Sequence, residues 1–386
     1  MCRTWDLGMA GRTKGVTVQR WIVRLFVSAS SAMQRSLLAL LLLASYLPLV
    51  LHAQNSSKLP DTAQNNVDLH PVGFPTDPNP VVVADVNASI FFISNETLAL
   101  YFEQRVSESA PPSHSFKLLT FSTAGQMIAQ RVFRADGKSL DISGGPNESI
   151  LLREAERLDF FDARLQSIKT HPLPTKTVGK SFDRTLNQLA VVTVDGESGN
   201  QNARFLDANT FDELTALVYP KRSHAIFGKK QLAYTLPGNC VGALHVQPDP
   251  ENWRSLDTLQ ACDALTFVGT EALAYATNQD LYVVHRSGKQ LFHGHIPAPD
   301  SFHMPDLVGL SDDHSRLAIM AMMKRGMFAT KPGTWPYYNE IYVYDLGAKR
   351  LLFKHALTGG YAAAFSPDGH QLATIESGGL NILSIP

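Results

Sequence analysis

The sequence predicts an all-β chain in which about seven small antiparallel sheets stand in a ring around one axis. Three observations predict it. A five-residue run that ends in a polar residue and a turn returns at a near-constant interval; a run built on a Leu-Ala pair precedes several of these; and sustained helical periodicity is almost absent beyond residue 80. The chain has 386 residues, with 44% hydrophobic and 18% charged, so a core can be built and wholesale disorder is excluded. That length suits two ordinary domains or one closed β architecture of repeated units.

The N-terminus changes the charge balance. Arg35 precedes an apolar run from Ser36 to Leu51, and Leu51-His52-Ala53 ends it with a small residue. Basic residue, apolar stretch and small residue form the order of a secretory signal peptide cut near Ala53. The run is shorter than the ~20 residues of a spanning helix, and Pro48 interrupts it, so no stable membrane span is expected after cleavage. The residues ahead of Met33 read as an over-extended start or a long basic n-region. Residues 1–53 are therefore assigned to the signal, 54–79 to an extended leader rich in Pro, Asn, Asp and Gln, and 80–386 to a single domain. The formal net charge of −1 becomes −6 once residues 1–53 are removed, leaving 28 basic and 34 acidic side chains. A mildly acidic chain without a basic cluster excludes a nucleic-acid footprint. Two cysteines remain, Cys240 and Cys262, and in an oxidising compartment they are expected to pair.

The recurring run appears as Leu118–Ser122, Leu158–Asp162, Ala203–Asp207, Ala243–Gln247, Leu281–His285, Ile341–Asp345 and Leu380–Ser384. Its terminal polar residues stand 40, 45, 40, 38, 60 and 39 residues apart, and five of these six intervals fit a four-stranded unit. The Leu-Ala runs Asn187–Thr193, Lys230–Thr235, Glu271–Thr277 and Ser315–Met320 repeat the second half of Ala362–Ile375. Small Ala suits a strand that crowds toward the axis. Ser366-Pro367-Asp368-Gly369 forms a turn, with Pro presetting φ and Gly accepting φ > 0. One such sheet cannot bury both faces, whereas a radial stack covers both. The architecture expected is a seven-bladed β-propeller, with six blades and extra strands as the alternative. The last unit ends at its third strand, so an N-terminal strand should complete it, and Pro80–Asp85 is the β-rich segment expected to do so.

Tyr361–Ile385, with its FSPDGxxLA turn followed by LNIL, resembles blades of the WD-repeat-like, TolB-like and YVTN-type β-propellers. Ile341–Asp345 with Leu346-Gly347-Ala348-Lys349 is similar to their third strand and turn. The resemblance implies a fold and no particular activity. No Trp-Asp dipeptide ends the strands of this chain.

The interval of 60 contains an insertion over Ile319–Glu340. Its Lys324, Arg325, Trp335, Tyr337 and Tyr338 make the candidate binding surface, because Tyr, Trp and Arg dominate contact energetics and long loops carry function. His293 and His295 share one strand face and are weak metal candidates; no metal or cofactor is otherwise expected. Asp162, Asp207 and Asp345 end third strands, where they either ring one mouth or cap their own turns. No GxSxG elbow, P-loop or Rossmann fingerprint is present, so no catalytic residue is assigned. The function expected is that of a secreted or periplasmic, non-catalytic module for a protein, peptide or glycan. The alternative is a lactonase-like or lyase-like enzyme with an active site at the channel mouth.

Overall fold

In a computed structural model of the chain, the structure describes residues 63–74, 88–105, 114–135, 140–221, 223–235, 242–256, 260–261, 263–277, 279–296, 305–324, 337–357 and 360–386. All belong to one compact unit, Pro60–Pro386. The described strands form seven four-stranded antiparallel sheets. A strand β1, Ala63–Asp68, comes first in the chain. Blade 1 then holds β2 (Ala88–Phe92), β3 (Thr97–Arg105), β4 (His114–Ser122) and β5 (Met127–Ala135). Blade 2 holds β6 (Leu140–Gly144), β7 (Ile150–Glu154), β8 (Arg157–Phe161) and β9 (Ser167–Pro172). Blade 3 holds β10 (Thr177–Asp183), β11 (Gln188–Val194), β12 (Gln201–Asp207) and β13 (Glu213–Tyr219). Blade 4 holds β14 (His224–Gly228), β15 (Gln231–Thr235), β16 (Gly242–Gln247) and a two-residue β17 (Gln260–Ala261). Blade 5 holds β18 (Asp263–Val268), β19 (Ala272–Ala276), β20 (Asp280–His285) and β21 (Gln290–His295). Blade 6 holds β22 (Asp306–Leu310), β23 (Arg316–Lys324), β24 (Tyr337–Asp345) and β25 (Arg350–Leu357). Blade 7 holds β26 (Gly360–Phe365), β27 (Gln371–Glu376) and β28 (Gly379–Ser384), completed by β1 at its outer edge.

The first strands of successive blades neighbour one another all the way round, from β2 and β6 to β26, which meets β2 again. The ring is therefore a closed seven-bladed β-propeller, and the six-bladed alternative is excluded. All seven recurring runs of the sequence fall on third strands: β4, β8, β12, β16, β20, β24 and β28.

Each cleft between neighbouring blades holds one of seven apolar clusters among the described residues. Strand alternation supplies them. On β11, Leu189 and Val191 face blade 2, while Ala190 and Val192 face blade 4. A strand covered on both faces reads as a continuous apolar run, which is the origin of the Leu-Ala signature. These runs correct one expectation. They form the second strands, β11, β15, β19, β23 and β27, and not the strands beside the axis. Their Ala residues let adjacent sheets approach away from the channel.

The axial strands use glycine for the same purpose where they converge. A Cβ on Gly228 would lie 2.7 Å from the Phe267 ring of blade 5, and one on Gly309 would lie 2.8 Å from Phe365 of blade 7. Overpacking of this kind costs about 1–3 kcal/mol. Gly228→Ala is therefore expected to lower the unfolding free energy measured in urea by that amount, whereas alanine at Gly179, whose Cβ would sit 4.0 Å from Val192, should change it little.

A second correction concerns closure. The place beside β28 is taken by Ala63–Asp68, pairing Asn66 with Asn381 and Val67 with Leu380, and not by Pro80–Asp85. Positions 80–87 lie outside the described residues. The segment after β1 is also no coreless leader, since Leu69 is fully buried and Phe74 nearly so, in the cleft between blades 7 and 1. The polar sequence of β1 fits its place at a sheet edge with a single partner strand, and so carries no apolar signal.

Candidate functional site

The strands beside the axis run from one face of the disc, called upper here, to the other. At the lower face the within-blade turns take two to five residues, except for 248–259 in blade 4. The strand ends that flank the connections 69–87, 106–113, 296–305 and 325–336 all lie at the upper face. Four of the five longest connections thus join strand ends on one side of the ring.

The axial strands leave both apolar and polar side chains exposed, among them Val178 of blade 3. Blades 4 and 6 offer partly exposed Ala225, Ile226, Leu307 and Val308, with exposed His224 and Asp306 toward the upper end. Blades 1 to 3 offer Ser89 on β2, Asp141 and Ser143 on β6, and Lys180 and Ser181 on β10. Lys180 Nζ lies 2.6 Å from Ser143 Oγ and 3.3 Å from Asp141 Oδ1. Arg153 of β7 reaches the other Asp141 oxygen at 3.5 Å and donates to the Thr177 and Val178 carbonyls at 3.4 and 3.2 Å. The Lys180 side chain is 1% exposed and that of Asp141 32% exposed, so the lysine is the buried member of the pair. Burial pushes the Lys180 ammonium below its ordinary value, with Arg153 adding to the effect and Asp141 opposing it. Burial, with the Asp141 charge, pushes the Tyr101 hydroxyl up, and a Ser89 hydrogen bond moderates this.

The sign of the resulting pH dependence follows from linkage. Over the interval from the depressed Lys180 value up to 10.5, the unfolded chain binds the proton that the folded chain has released, so stability rises with pH there. Lys180→Met is expected to flatten that rise in chemical denaturation curves collected from pH 7 to 10.

At the lower end of the channel blade 3 is tied to blade 1. Arg184 of blade 3 donates from Nη2 to the Phe92 carbonyl of blade 1 at 3.0 Å, passing beside Gly144 of blade 2. Burial lowers the Arg184 value, and the Asp312 and Glu148 charges oppose that. Across the ring, burial raises the Asp312 carboxyl, opposed chiefly by Arg184 and aided by Asp183.

The residues singled out from sequence fall elsewhere. Lys324 ends β23 and Tyr337 opens β24, paired with each other at the upper face. Arg325 and Trp335 lie outside the described residues, as do the side chains of Lys324 and Tyr337. Tyr338 is half-buried against the blade 5–6 core, with its hydroxyl 3.3 Å from the buried Glu340 carboxylate. Glu340 also takes a hydrogen bond from the Tyr342 hydroxyl and an ion pair from Lys354 at 2.9 Å. His293 and His295 sit on β21, the outer strand of blade 5, and both meet one oxygen, Asp280 Oδ1, at 2.9 and 3.1 Å. Sequence spacing missed Asp280 because it is the cross-strand partner of His295. Among the described residues no group of three His, Cys, Asp or Glu has the geometry to hold a metal ion. Asp162, Asp207 and Asp345 cap their own turns. Asp162 Oδ1 accepts from the Arg164 and Gln166 amides, Asp207 Oδ1 from Asn209 and Thr210, and Asp345 Oδ1 from Ala348. Cys240 and Cys262 lie outside the described residues; β16 and β17, which follow and precede them in sequence, pair through Gly242 and Ala261.

No protein-family model and no curated protein matches the chain. Among solved structures it is similar to Kluyveromyces lactis Hsv2, at 12% identity over 76% of this chain and 91% of that one, with a TM-score of 0.43. It is also similar to Pyrococcus horikoshii acylaminoacyl peptidase, at 10% identity over 77% of this chain and 50% of that one, with a TM-score of 0.48.

Proposed function

We propose that this chain is an exported propeller that binds a protein, peptide or glycan ligand at its upper face. The observation that carries the reading is the asymmetry of the disc. Four connections, 69–87, 106–113, 296–305 and 325–336, join strand ends at one end of the channel, whereas at the other, where Arg184 ties blade 3 to blade 1, the within-blade turns are short in every blade but blade 4. A rigid ring holds such connections at fixed separations, which lowers the ordering cost of binding. The insertion between Lys324 and Tyr337 joins two strand ends at that face, and its sequence includes Arg325 and Trp335. Export rests on the apolar run from Ser36 to Leu51, and N-terminal sequencing of protein recovered outside the cytoplasm should begin at Gln54.

Peptide and glycan arrays test the binding directly. Wild-type protein should retain defined array members, and a Trp335→Ala, Tyr337→Ala, Tyr338→Ala variant should lose them by at least about tenfold, as hot-spot aromatics do. A lower-face control, Asn209→Ala, should bind as the wild type does. Equal binding by the triple variant would move the site away from this insertion. A Cys240–Cys262 bridge belongs to the same proposal. Reduction should then destabilise the chain by about 3 kcal/mol for a loop of this length, and an unchanged melting curve in reductant would remove the bridge.

A further inference from the structure

We infer that Ser143 and Lys180 form a nucleophile–base dyad in the channel wall, able to cleave carboxylic esters. The pairing is made by the ring and by no local motif: Ser143 is on the axial strand of blade 2 and Lys180 on that of blade 3. Their Oγ and Nζ atoms are 2.6 Å apart, within the reach that a base needs to take a hydroxyl proton. Ser143 is half-buried and Lys180 almost wholly buried. A lysine works as a general base only when neutral, and desolvation in a protein cleft favours that form. In the charged state the ammonium donates to Ser143 Oγ, which donates in turn to the Gly144 carbonyl at 3.1 Å. With the amine neutral, the same contact reverses, and Oγ–H donates to Nζ.

The remaining requirement is a positive field for the carbonyl oxygen. The sheet order leaves β6 with β7 as its partner within the blade, so its axial edge turns alternate N–H groups toward the channel. Arg184 adds a guanidinium beside Gly144, the residue after Ser143. Asp141, on the same strand, touches Lys180 and acts as a positioning residue: it holds the amine in place and limits how far its proton affinity falls.

The step balances without a further cofactor. The Ser143 Oγ proton passes to Lys180 Nζ as Oγ bonds to the ester carbonyl carbon. The carbon–alkoxy bond then breaks, and the alcohol leaves with the proton from Lys180. Water attacks the acyl carbon while giving its proton to Nζ, the Oγ–acyl bond breaks, and Ser143 regains its proton as the carboxylic acid departs.

A fluorophosphonate probe on the full chain reads this directly, whatever the fate of the array experiment. Peptide mass analysis should place the label on Ser143, at a rate that rises with pH and levels off below the ordinary lysine range. Ser143→Ala should abolish labelling. Lys180→Arg, which keeps the charge but not the base, should slow it by at least about a hundredfold. Asp141→Asn should move the rate–pH midpoint to lower pH, which a purely structural carboxylate would not do. Should these variants melt early, Ser143→Cys alkylation by iodoacetamide, with and without Lys180→Met, gives a second reading. Here too the thiol should react faster when Lys180 is present. No label on Ser143 in the wild type, or a rate unchanged by Lys180→Arg, would overturn the dyad.

Discussion

Leu69→Ala combined with Phe74→Ala is expected to destabilise the chain by about 5 kcal/mol or more, the two losing buried contacts in one cleft. Leu69 is fully buried and packs among residues of blades 7 and 1, and the Phe74 ring stands edge-on to Phe102 at 5.0 Å. The segment is tied to blade 1 by polar contacts as well. Lys117 Nζ donates to the Val72 carbonyl at 2.6 Å, and Asn65 Nδ2 donates to Thr123 O at 2.9 Å. Its other half pairs with β28 of blade 7. Residues 63–74 therefore cross the seam at which the first and last blades meet. Losing them opens the ring instead of fraying one edge. The expected result in urea is a lowered midpoint, together with earlier exposure of blades 1 and 7 than of blades 3 and 4 in hydrogen exchange. A shift under about 1 kcal/mol would mean that the seam is held by the inner strands alone.

Arg153→Met is expected to cost about 3 kcal/mol, although methionine conserves much of the apolar stem. The guanidinium is buried between blades 2 and 3, and three acceptors depend on it: Asp141, Thr177 O and Val178 O. Removing one member of a buried polar network leaves the others unsatisfied in a low-dielectric cleft, which is the expensive direction. Arg204 makes the useful contrast. It pairs with Glu213 on the outer strands of blade 3, with both side chains over a third exposed, and its change to Met should stay within about 1 kcal/mol. Equal effects from the two substitutions would show that the Arg153 network contributes no more than a surface pair. Because Arg153 holds Asp141, and Asp141 holds Lys180, the same variant should also slow phosphonate labelling of Ser143.

The fold was legible where strands are buried on both sides. Third strands such as Ile341–Asp345 announce themselves through an apolar run cut by a turn-capping residue, and second strands such as Gln188–Val194 through Leu-Ala followed by β-branched residues. What stayed illegible has the opposite environment. Ala63–Asp68 is an outer strand with one neighbour, so nothing constrains its sequence to be apolar, and Pro80–Asp85 carries the stronger β signal without taking the place beside β28. The channel cluster was invisible for a different reason. Asp141, Ser143, Arg153 and Lys180 have no spacing in common with any known motif, because the ring, and not the local chain, brings them together. Strand register makes part of it legible, since Asp141 faces Arg153 across the β6–β7 ladder, just as Asp280 faces His295 across β20 and β21.

Cysteine crosslinking tests the closure of the ring most directly. Asn66 and Asn381 are register partners on β1 and β28, with their side chains in hydrogen-bond contact. Under mild oxidation, Asn66→Cys with Asn381→Cys should form an intramolecular disulfide in high yield, and Val82→Cys with Asn381→Cys should not. Crosslinking of the second pair and not the first would contradict the closure described here.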